Sequence, residues 1–502
     1  MPQRPFSRTT LWLVPPSLDD WVAADDPVRF VADVLDSFDD AAWAALGIDR
    51  TPARTGAPRY APEVLLALWL YGFSVGIRSS RGLETACRNQ IPFRWLSGNQ
   101  TPDHNTLVRF LQQHPQAMKA LYAQTVRIAA HAGLIDWALQ AVDGTKIGAN
   151  AAVERSVTAA DLDRLDAVLD GKIAAVLAEA ADRQVRDDPT PPSLPPGLQQ
   201  AETRKARIAQ VRADLETRPG RTGNLTDPDA RLMNTRQGIV PAYNAQAVVS
   251  AVPPPASAPA RTPSGRLIVG AAVTTAENDR GQLATMVAEA TVTTGQAAAL
   301  TVADKGYFSA ATLAACAEAG QPVVVPEPAA ARAGARDLFP IEAFTYDAAS
   351  DTYTCPAGQA LPFRDERRVD ERVVRRYRAA MATCRACPLR RQCTRSQHQG
   401  RALKVPVGRE QVLAHRDWMA TEAAQAASRQ RGRLIEPVFG ILKEQLGARR
   451  FLRRGLAAVQ GEWALLCAAF NLRTLTRWWQ QTWVHAGTAS GARGRLGPTR
   501  AG

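Results

Sequence analysis

Two aspartates, Asp143 and Asp304, each follow a short run of small, apolar and β-branched residues, in AVDGTK and TVADKGYF. Such runs are typical of strands, and an aspartate at the end of a strand projects its carboxylate from the sheet edge, where open α/β sheets keep their sites. Two such carboxylates can chelate a hard divalent cation. Taken singly, each aspartate has a simpler alternative, because Asp143-Gly144 favours a hairpin turn and Asp304 can cap a helix.

A third acidic residue, Glu436, lies in the basic segment RQRGRLIEPVFGILKEQLGARRFLRRG. From Arg429 to Arg454 eight residues are basic, and only Glu436 and Glu444 are acidic. Glu436 and Lys443 are seven residues apart, nearly two helical turns, so they share one helix face. Pro437 suits a first helical turn, which predicts that Glu436 starts the helix. A solvated amphipathic helix would explain the same charges.

Four of the seven cysteines follow the spacing C-x28-C-x2-C-x5-C, namely Cys355, Cys384, Cys387 and Cys393. Four thiolates bind zinc tetrahedrally, and the x2 pair is typical of a zinc knuckle, so we predict a structural Zn²⁺. The x5 spacing is less regular, and unligated thiols are the alternative. The surrounding segment, Arg364 to Lys404, carries thirteen basic and four acidic residues and is the most basic part of the chain.

The other candidate side chains favour structural roles. Cys87, Cys316 and Cys467 lie in helical apolar surroundings and are interpreted as core residues. His104, in PDHNT, is a polar residue at a helix start, for which we favour a hydrogen-bonding role over catalysis.

The elements that must position these residues form an α/β pattern. A strand pattern from Leu139 leads into the predicted turn at Asp143-Gly144, and a polar helical insertion occupies about 157–235. Strand patterns resume over Tyr243 to Ser250 and Leu267 to Thr274. Two further strands, each preceded by a helix, end at Ala303 and Val325. The order predicts a mixed α/β sheet.

The first 135 residues form a separate helical pattern in which charge is unevenly distributed. Met1 to Asp49 has nine acidic and three basic residues, whereas Arg50 to Ile135 has ten basic and three acidic ones. Short helices with a basic surplus suit a DNA-contacting module, although a helical packing domain with a solvated basic face is the alternative.

Composition sets the broad class. The 502 residues include 46% hydrophobic and 22% charged residues, which excludes wholesale disorder and a fibrous protein. A net charge of +13 points to a polyanionic partner. The apolar stretch Leu11 to Val14 is too short for a signal or membrane helix. We therefore expect a cytoplasmic protein without a membrane partner.

Taken together, the motifs resemble those of bacterial insertion-sequence transposases with a DDE catalytic domain, in the branch with a helical N-terminal domain and a cysteine-rich insert. The resemblance covers roughly Leu11 to Trp478. It rests on the segments YAPEVLLALWLYGFSVGIRSSRGLE, TPDHNTLVRF, VDGTKIGANA, YNAQ, TVADKGYFS, CRACPLRRQC and IEPVFGILK.

The resemblance implies a ribonuclease-H-like fold whose catalytic carboxylates are Asp143, Asp304 and Glu436. Oxygen ligands of this kind suit Mg²⁺ or Mn²⁺. The family signature Tyr-x2-Arg-x3-Glu-x6-Lys is matched in its second half by Glu436 and Lys443. Its first half departs, because Gly432 lies four residues before Glu436, between Arg431 and Arg433. We assign Lys443, Arg431 and Arg433 to DNA phosphates.

The domains implied are a helical DNA-binding domain over 1–135, a catalytic core over 136–350 and 410–480, a basic cysteine-rich insert over 351–409 and a disordered tail over 487–502. The expected function is metal-dependent cleavage at the element ends followed by strand transfer into target DNA. The expected partners are the terminal repeats, target DNA and further copies of the chain, in association with the nucleoid. A metal-dependent nuclease without strand transfer and a catalytically silent, zinc-containing DNA-binding protein remain as alternatives.

Overall fold

A computed structural model describes residues 17–51, 59–184, 196–218, 221–235, 238–253, 265–328, 338–369 and 372–487. The apolar stretch Leu11 to Val14 and the tail after Gly487 lie outside these ranges. No helix within them is long and apolar enough to cross a membrane.

The described residues of the N-terminal part form seven α-helices. The third begins at Pro62, whose missing N–H costs nothing in a first turn. Its residues from Leu65 to Ser74 are all buried, so other helices surround it. The seven are α1 Pro27–Asp36, α2 Asp40–Leu46, α3 Pro62–Ser74, α4 Ser80–Asn89, α5 Ile91–Leu96, α6 His104–Gln113 and α7 Pro115–His131.

The middle of the chain alternates between strands and helices. The elements in chain order are β1 Gln140–Gly148, β2 Ser156–Val157, α8 Ala159–Gln184, α9 Pro196–Thr217, β3 Gly223–Asn224, β4 Arg231–Thr235, β5 Gly238–Ala251, β6 Arg266–Thr274, α10 Leu283–Thr294, β7 Thr301–Ala303, α11 Ala310–Glu318 and β8 Val323–Val324. The helical insertion predicted between the first strands is the pair α8 and α9, which share a small apolar core that includes Leu162 and Val211.

A mixed sheet lies at the centre, as the sequence predicts. Its strands follow the order β6-β5-β1-β7-β8, and β4 pairs with the first part of β5. The strand β5 is antiparallel to both β1 and β6, whereas β7 runs parallel to β1 and β8 runs parallel to β7. The carboxyl ends of β7 and β8 therefore lie at the same edge of the sheet.

The cysteine-containing segment forms a second, antiparallel sheet with the order β13-β12-β11-β10-β9. Its own core includes Phe344, Tyr353, Leu361, Tyr377 and Leu403. The remaining elements are β9 Thr345–Asp347, β10 Thr352–Thr354, β11 Ala360–Val369, β12 Arg372–Arg378, α12 Met381–Arg385, α13 Arg390–Cys393, β13 Ala402–Pro406, α14 Arg409–Ala420, α15 Glu422–Gly440, a π-helical turn Ile441–Gln445 and α16 Leu456–Gly487.

The N-terminal helices and the mixed sheet share one continuous hydrophobic core, into which α16 packs. Polar groups inside this core are paired across it. The Tyr122 hydroxyl on α7 donates to the Ile268 carbonyl on β6 at 3.1 Å, and the Asn471 amide on α16 donates to the same carbonyl at 2.8 Å. The sheet is thus fixed against both α7 and α16.

Candidate active site

The parallel pairing of β1 with β7 brings Asp143 and Asp304 to neighbouring positions. Val142 on β1 lies opposite Ala303 on β7. The residues that follow them in the sequence are Asp143 and Asp304. Adjacent strands are about 4.8 Å apart, which allows the two carboxylates to influence each other. The sequence predicts this pair only as two separate strand ends.

The hairpin turn predicted at Asp143-Gly144 is wrong, because β1 continues without a turn to Gly148. Gly144 pairs with Gln246 across the ladder to β5. A Cβ at Gly144 would overlap the Gln246 amide and the Asp279 carboxylate. Glycine is therefore needed here because the Gln246 and Asp279 side chains pack directly against its backbone, and not because the chain turns. Asp143 lies inside a strand.

Asp304 combines both roles that the sequence allows. It follows the last residue of β7 and caps a short 3-10 turn over Lys305–Tyr307, where its Oδ1 accepts the Gly306 N–H at 2.7 Å. This bond fixes the carboxylate at the edge of the sheet, where it stays partly exposed.

Glu436 lies on α15, which packs across β1, β5 and β7. The predicted helix start at Glu436 is wrong, because Thr421 caps α15 and Pro437 lies inside the helix. Pro437 has no N–H to donate to the carbonyl of Arg433. That carbonyl instead accepts two bonds from the Arg266 guanidinium, at 3.0 and 2.7 Å, so the helix continues through the proline.

Arg431 connects the helix to the strand. Its Nη1 donates to Asp143 Oδ2 at 2.9 Å, and its Nη2 lies 4.0 Å from Glu436 Oε1. The Glu436 side chain is 72% exposed, whereas that of Asp143 is only 20% exposed. One guanidinium thus lies between the buried and the exposed carboxylate.

Asp143 is the electrostatically perturbed member of the group. Burial raises its pKa from 3.8 to about 6, while Arg431 and the Gly144 N–H oppose the rise and Asp304 and Asp279 add to it. Buried carboxylates that face each other favour a cation between them. The donor set is all oxygen, as Mg²⁺ or Mn²⁺ requires.

The carboxylates need to draw together before they can share an ion. Within the described ranges, no group of three or more His, Cys, Asp or Glu side chains has metal-ligand spacing as it stands. Arg431 bonds to Asp143. The Glu436 side chain is 72% exposed, so it is not fixed by packing at its distance from Asp143. The oxygen donors of Asp143, Asp304 and Glu436 are of the type that suits a divalent cation, and in this arrangement Arg431 occupies one oxygen of Asp143.

Sequence reasoning missed a polar cluster around Asp279. The side-chain amides of Asn244 and Gln246 each donate to its Oδ1 at 2.7 Å, and Lys146 Nζ lies 3.8 Å away. The Tyr307 hydroxyl donates to the carbonyl oxygen of the Gln246 amide. The polar residues of the YNAQ and DGTK segments are the sequence feature that indicates this cluster, because β1–β5 pairing places Asn244 opposite Lys146.

The basic residues assigned to phosphates have different surroundings. Lys443 Nζ donates to the Lys146 carbonyl at 3.4 Å, so it lies beside β1. It belongs to a π-helical turn, and the regular α spacing from Glu436 is therefore not kept. Arg433 is exposed.

Two further arginines connect the loop before α16 to the end of β1. Arg450 and Arg454 donate to the carbonyls of Ala149 and Asn150, at 3.0 and 2.9 Å.

The four spaced cysteines meet in the second sheet. Cys355, Cys384, Cys387 and Cys393 line one cavity. The other three thiols raise the pKa of Cys393, although burial is the larger cause and Arg401 opposes both. Backbone N–H groups of Gln359 and Arg401 donate to the sulfurs of Cys355 and Cys384, at 3.3 and 3.4 Å. The sulfurs thus converge, but they have not closed to metal-ligand spacing in the described structure.

The residues given structural roles occupy structural positions. Cys87, Cys316 and Cys467 are buried in the hydrophobic core, as predicted. His104 is the first residue of α6, and its Nδ1 lies 2.8 Å from Glu84 Oε2 on α4. This contact joins two N-terminal helices, in keeping with the hydrogen-bonding role.

Family comparisons address both ends of the chain. A model described as "Transposase DDE domain" matches residues 354–476, which include Glu436, Lys443 and the four spaced cysteines. A model described as "Transposase domain (DUF772)" matches residues 16–113, within the N-terminal helices. No curated protein matches the chain.

The two matches define the class as transposase, from two separate parts of the chain. The resemblance to insertion-sequence DDE transposases drawn from the motifs is thereby confirmed, since each matched part of the chain is similar to a transposase domain. The DDE match begins after Asp143 and Asp304, so their inclusion in the site rests on the strand pairing described above.

Proposed function

We propose that this transposase cuts DNA at the ends of its insertion sequence and joins the freed ends to target DNA in a reaction that depends on Mg²⁺ or Mn²⁺. One observation carries the proposal. Asp143 and Asp304 are neighbours on parallel strands, and Arg431 links Asp143 to Glu436 across α15. These three carboxylates are separated by 161 and 132 residues in the sequence.

The strand order supports a ribonuclease-H-like core for this reaction. Counting only the five strands of the core in chain order, β1, β5, β6, β7 and β8, the sheet reads 3-2-1-4-5, with the second strand antiparallel. In such a core the first and fourth strands lie side by side and present their carboxylates together. Here those strands are β1 and β7.

In the proposed mechanism Asp143, Asp304 and Glu436 hold the metal ions. When bound, divalent ions would activate the attacking oxygen and stabilise the leaving oxygen of an in-line phosphoryl displacement. In the first step, the oxygen of water forms a bond to the phosphorus at the element end as the P–O3′ bond breaks, which leaves a 5′-phosphate and a free 3′-hydroxyl. That hydroxyl then forms a new O–P bond at a target phosphodiester as the target O–P bond breaks. Lys443, Arg431 and Arg433 bind phosphates, which positions DNA without reading its sequence.

DNA recognition is divided along the chain in this proposal. The basic helices between Arg50 and Ile135 bind the terminal repeats, because short helices can enter a groove. The basic residues around Glu436 bind the backbone near the scissile phosphate. The protein acts as a homo-oligomer on DNA, in the cytoplasm and in association with the nucleoid.

The test is DNA cleavage and joining by the purified protein with its own element ends and Mg²⁺. Asp304→Asn should abolish cleavage and leave DNA binding largely intact, because it removes a metal ligand and no phosphate contact. Lys305→Gln, one residue away and exposed, is the matched control and should cleave normally. Cleavage by Asp304→Asn at the rate of the unsubstituted protein would rule out the assignment.

The two alternatives give different results in this assay. A nuclease would cut in the presence of Mg²⁺ without joining a 3′-hydroxyl end to a second duplex. A silent DNA-binding protein would shift the DNA in a gel and would cut nothing with either metal.

We also propose that the four spaced cysteines bind one structural Zn²⁺ that takes no part in the reaction. Their position around one cavity supports this, because four thiolates bind zinc tetrahedrally. Cys387→Ser should then unfold the second sheet locally, since zinc contributes on the order of 10 kcal/mol to the folding of such units. Elemental analysis of protein purified without chelators tests it, and the absence of zinc would refute it.

A further inference from the structure

The hairpin of β11 and β12 extends beyond the strands on either side of it. β10 pairs only with Ala360 to Pro362 of β11, and β13 pairs only with Val374 to Arg378 of β12. From Glu366 to Val369, β11 pairs with β12 alone. Residues 370 and 371 at the connection lie outside the described ranges. Arg368 and Val369, opposite Val373 and Arg372, form a two-stranded part, whereas β13 joins β12 from Val374 onward and makes the sheet three-stranded there.

The two faces of the sheet formed by β11, β12 and β13 carry different kinds of side chain. One face carries Tyr377, Leu403 and Val405, which belong to the core of the second sheet. Side chains alternate along a strand, so the opposite face carries the residues between these. The charged residues described on it are Arg376, Arg378, Lys404, Arg367 and Asp365, and the buried Val374 lies among them. We call this set the basic face.

The basic face places like charges beside each other. Arg376 lies directly opposite Lys404 across the ladder, an arrangement that disfavours the sheet unless an anion is near. Asp365 is the one acidic member of the basic face, and both Arg376 and Arg367 pair with it. The four cations thus exceed the described carboxylates by three. Lys404 and Arg367 are exposed, so their charges are open to a partner.

The opposite face uses its arginine differently. Arg375 pairs with Asp351 at 2.7 Å and stacks on the Phe363 ring, with its guanidinium carbon 4.6 Å from the ring centroid. These contacts stabilise the fold and occupy the charge. On the basic face, Arg367 shares the Asp365 carboxylate with Arg376, and Lys404 is exposed.

We propose that the basic face of β11, β12 and β13 binds the phosphate backbone of duplex DNA. Charge complementarity supports this partner, since duplex DNA carries about one negative charge per 1.7 Å. The acidic residues of Met1 to Asp49 in a second copy are the other possible occupant. DNA is favoured because the chain as a whole carries +13. The inference rests on DNA as substrate, and it needs no catalysis.

The test is the salt dependence of binding to an element-end duplex and to a random duplex of equal length. The variant is Arg367→Glu with Lys404→Glu, and the control is Lys172→Glu with Arg207→Glu, two exposed positions on α8 and α9. The variant should bind both duplexes at least tenfold more weakly at low salt. Loss of two phosphate contacts should also reduce the slope of log K against log salt by about 1.8.

Three results would overturn the proposal. They are an unchanged slope, an equal loss in the control pair, which would indicate net charge alone, and a change in oligomeric state with DNA binding intact, which would indicate a second copy as partner. Arg367→Gln with Lys404→Gln, with a smaller loss in the same direction, guards against misfolding of the reversed variant. Because binding is measured without Mg²⁺, an inactive enzyme would leave this result unaffected.

Discussion

At the scale of single residues, Asp143 has a measurable effect on stability. Its pKa rises from 3.8 in an unfolded chain to about 6 in the folded one, so the folded protein binds more protons between these values. Stability from this group is present below pH about 4 and is lost as the pH rises through about 6. A metal-free protein therefore carries a cost of about 2–3 kcal/mol at neutral pH.

Asp143→Asn should remove that cost. In EDTA, we expect the variant to be more stable than the unsubstituted protein by about 2 kcal/mol at pH 8 and equally stable at pH 4. Denaturant unfolding across this range measures the difference. With saturating Mg²⁺ the order should reverse, because only the unsubstituted protein keeps the full ligand set. An Asn variant that is no more stable than the unsubstituted protein at pH 8 in EDTA would contradict the burial of this charge.

At the scale of elements, Gly144 tests the close packing behind β1. Gly144→Ala should destabilise the protein by about 1–3 kcal/mol, because the methyl group overlaps the Gln246 amide and the Asp279 carboxylate. Gly171→Ala is the matched control, since its Cβ would meet nothing within 4 Å inside α8. That change should stabilise the helix by about 0.5–1 kcal/mol. Thermal unfolding of both variants gives the comparison, and equal effects would refute the packing.

The sequence predicts most elements of the sheet and fails where distant contacts decide. Apolar runs and flanking helices place β6, β7 and β8 within a few residues. Asp143-Gly144 has the composition of a turn, but its pairing with β5 and β7 depends on residues more than 100 positions away. The helix continues through Pro437 because Arg266 satisfies the freed carbonyl, and no local pattern indicates this. The Asp279 cluster was missed for the same reason.

At the scale of the whole molecule, a buried ion pair joins the connection between α3 and α4 to α16. Arg78 Nη2 bonds to Glu462 Oε1, and the two side chains are 7% and 2% exposed. Arg78 also donates to the Arg450 carbonyl at 2.9 Å, and the N–H groups of Leu452 and Arg453 donate to Glu462. This network positions the loop whose arginines contact the end of β1.

Glu462→Ala should destabilise the whole protein by about 3–5 kcal/mol, since it leaves the Arg78 charge buried without its partner. The control is Arg164→Ala, which removes a surface ion pair between Arg164 and Asp161. The Arg164 side chain is 78% exposed, so this change should alter stability by less than about 0.5 kcal/mol. A single cooperative transition in denaturant, shifted only for the first variant, would agree with one core for the N-terminal helices and the sheet. Two separate transitions would contradict it.

The most direct test of the central claim is a change of metal preference at Asp304. Cleavage of an element-end duplex is measured for the unsubstituted protein and for Asp304→Cys, each with Mg²⁺ and with Mn²⁺. A thiolate binds Mn²⁺ better than the harder Mg²⁺, so a ligand at this position should lose activity at least 100-fold with Mg²⁺ and far less with Mn²⁺. Loss by the same factor with both metals, or no loss with Mg²⁺, would contradict metal binding by Asp304.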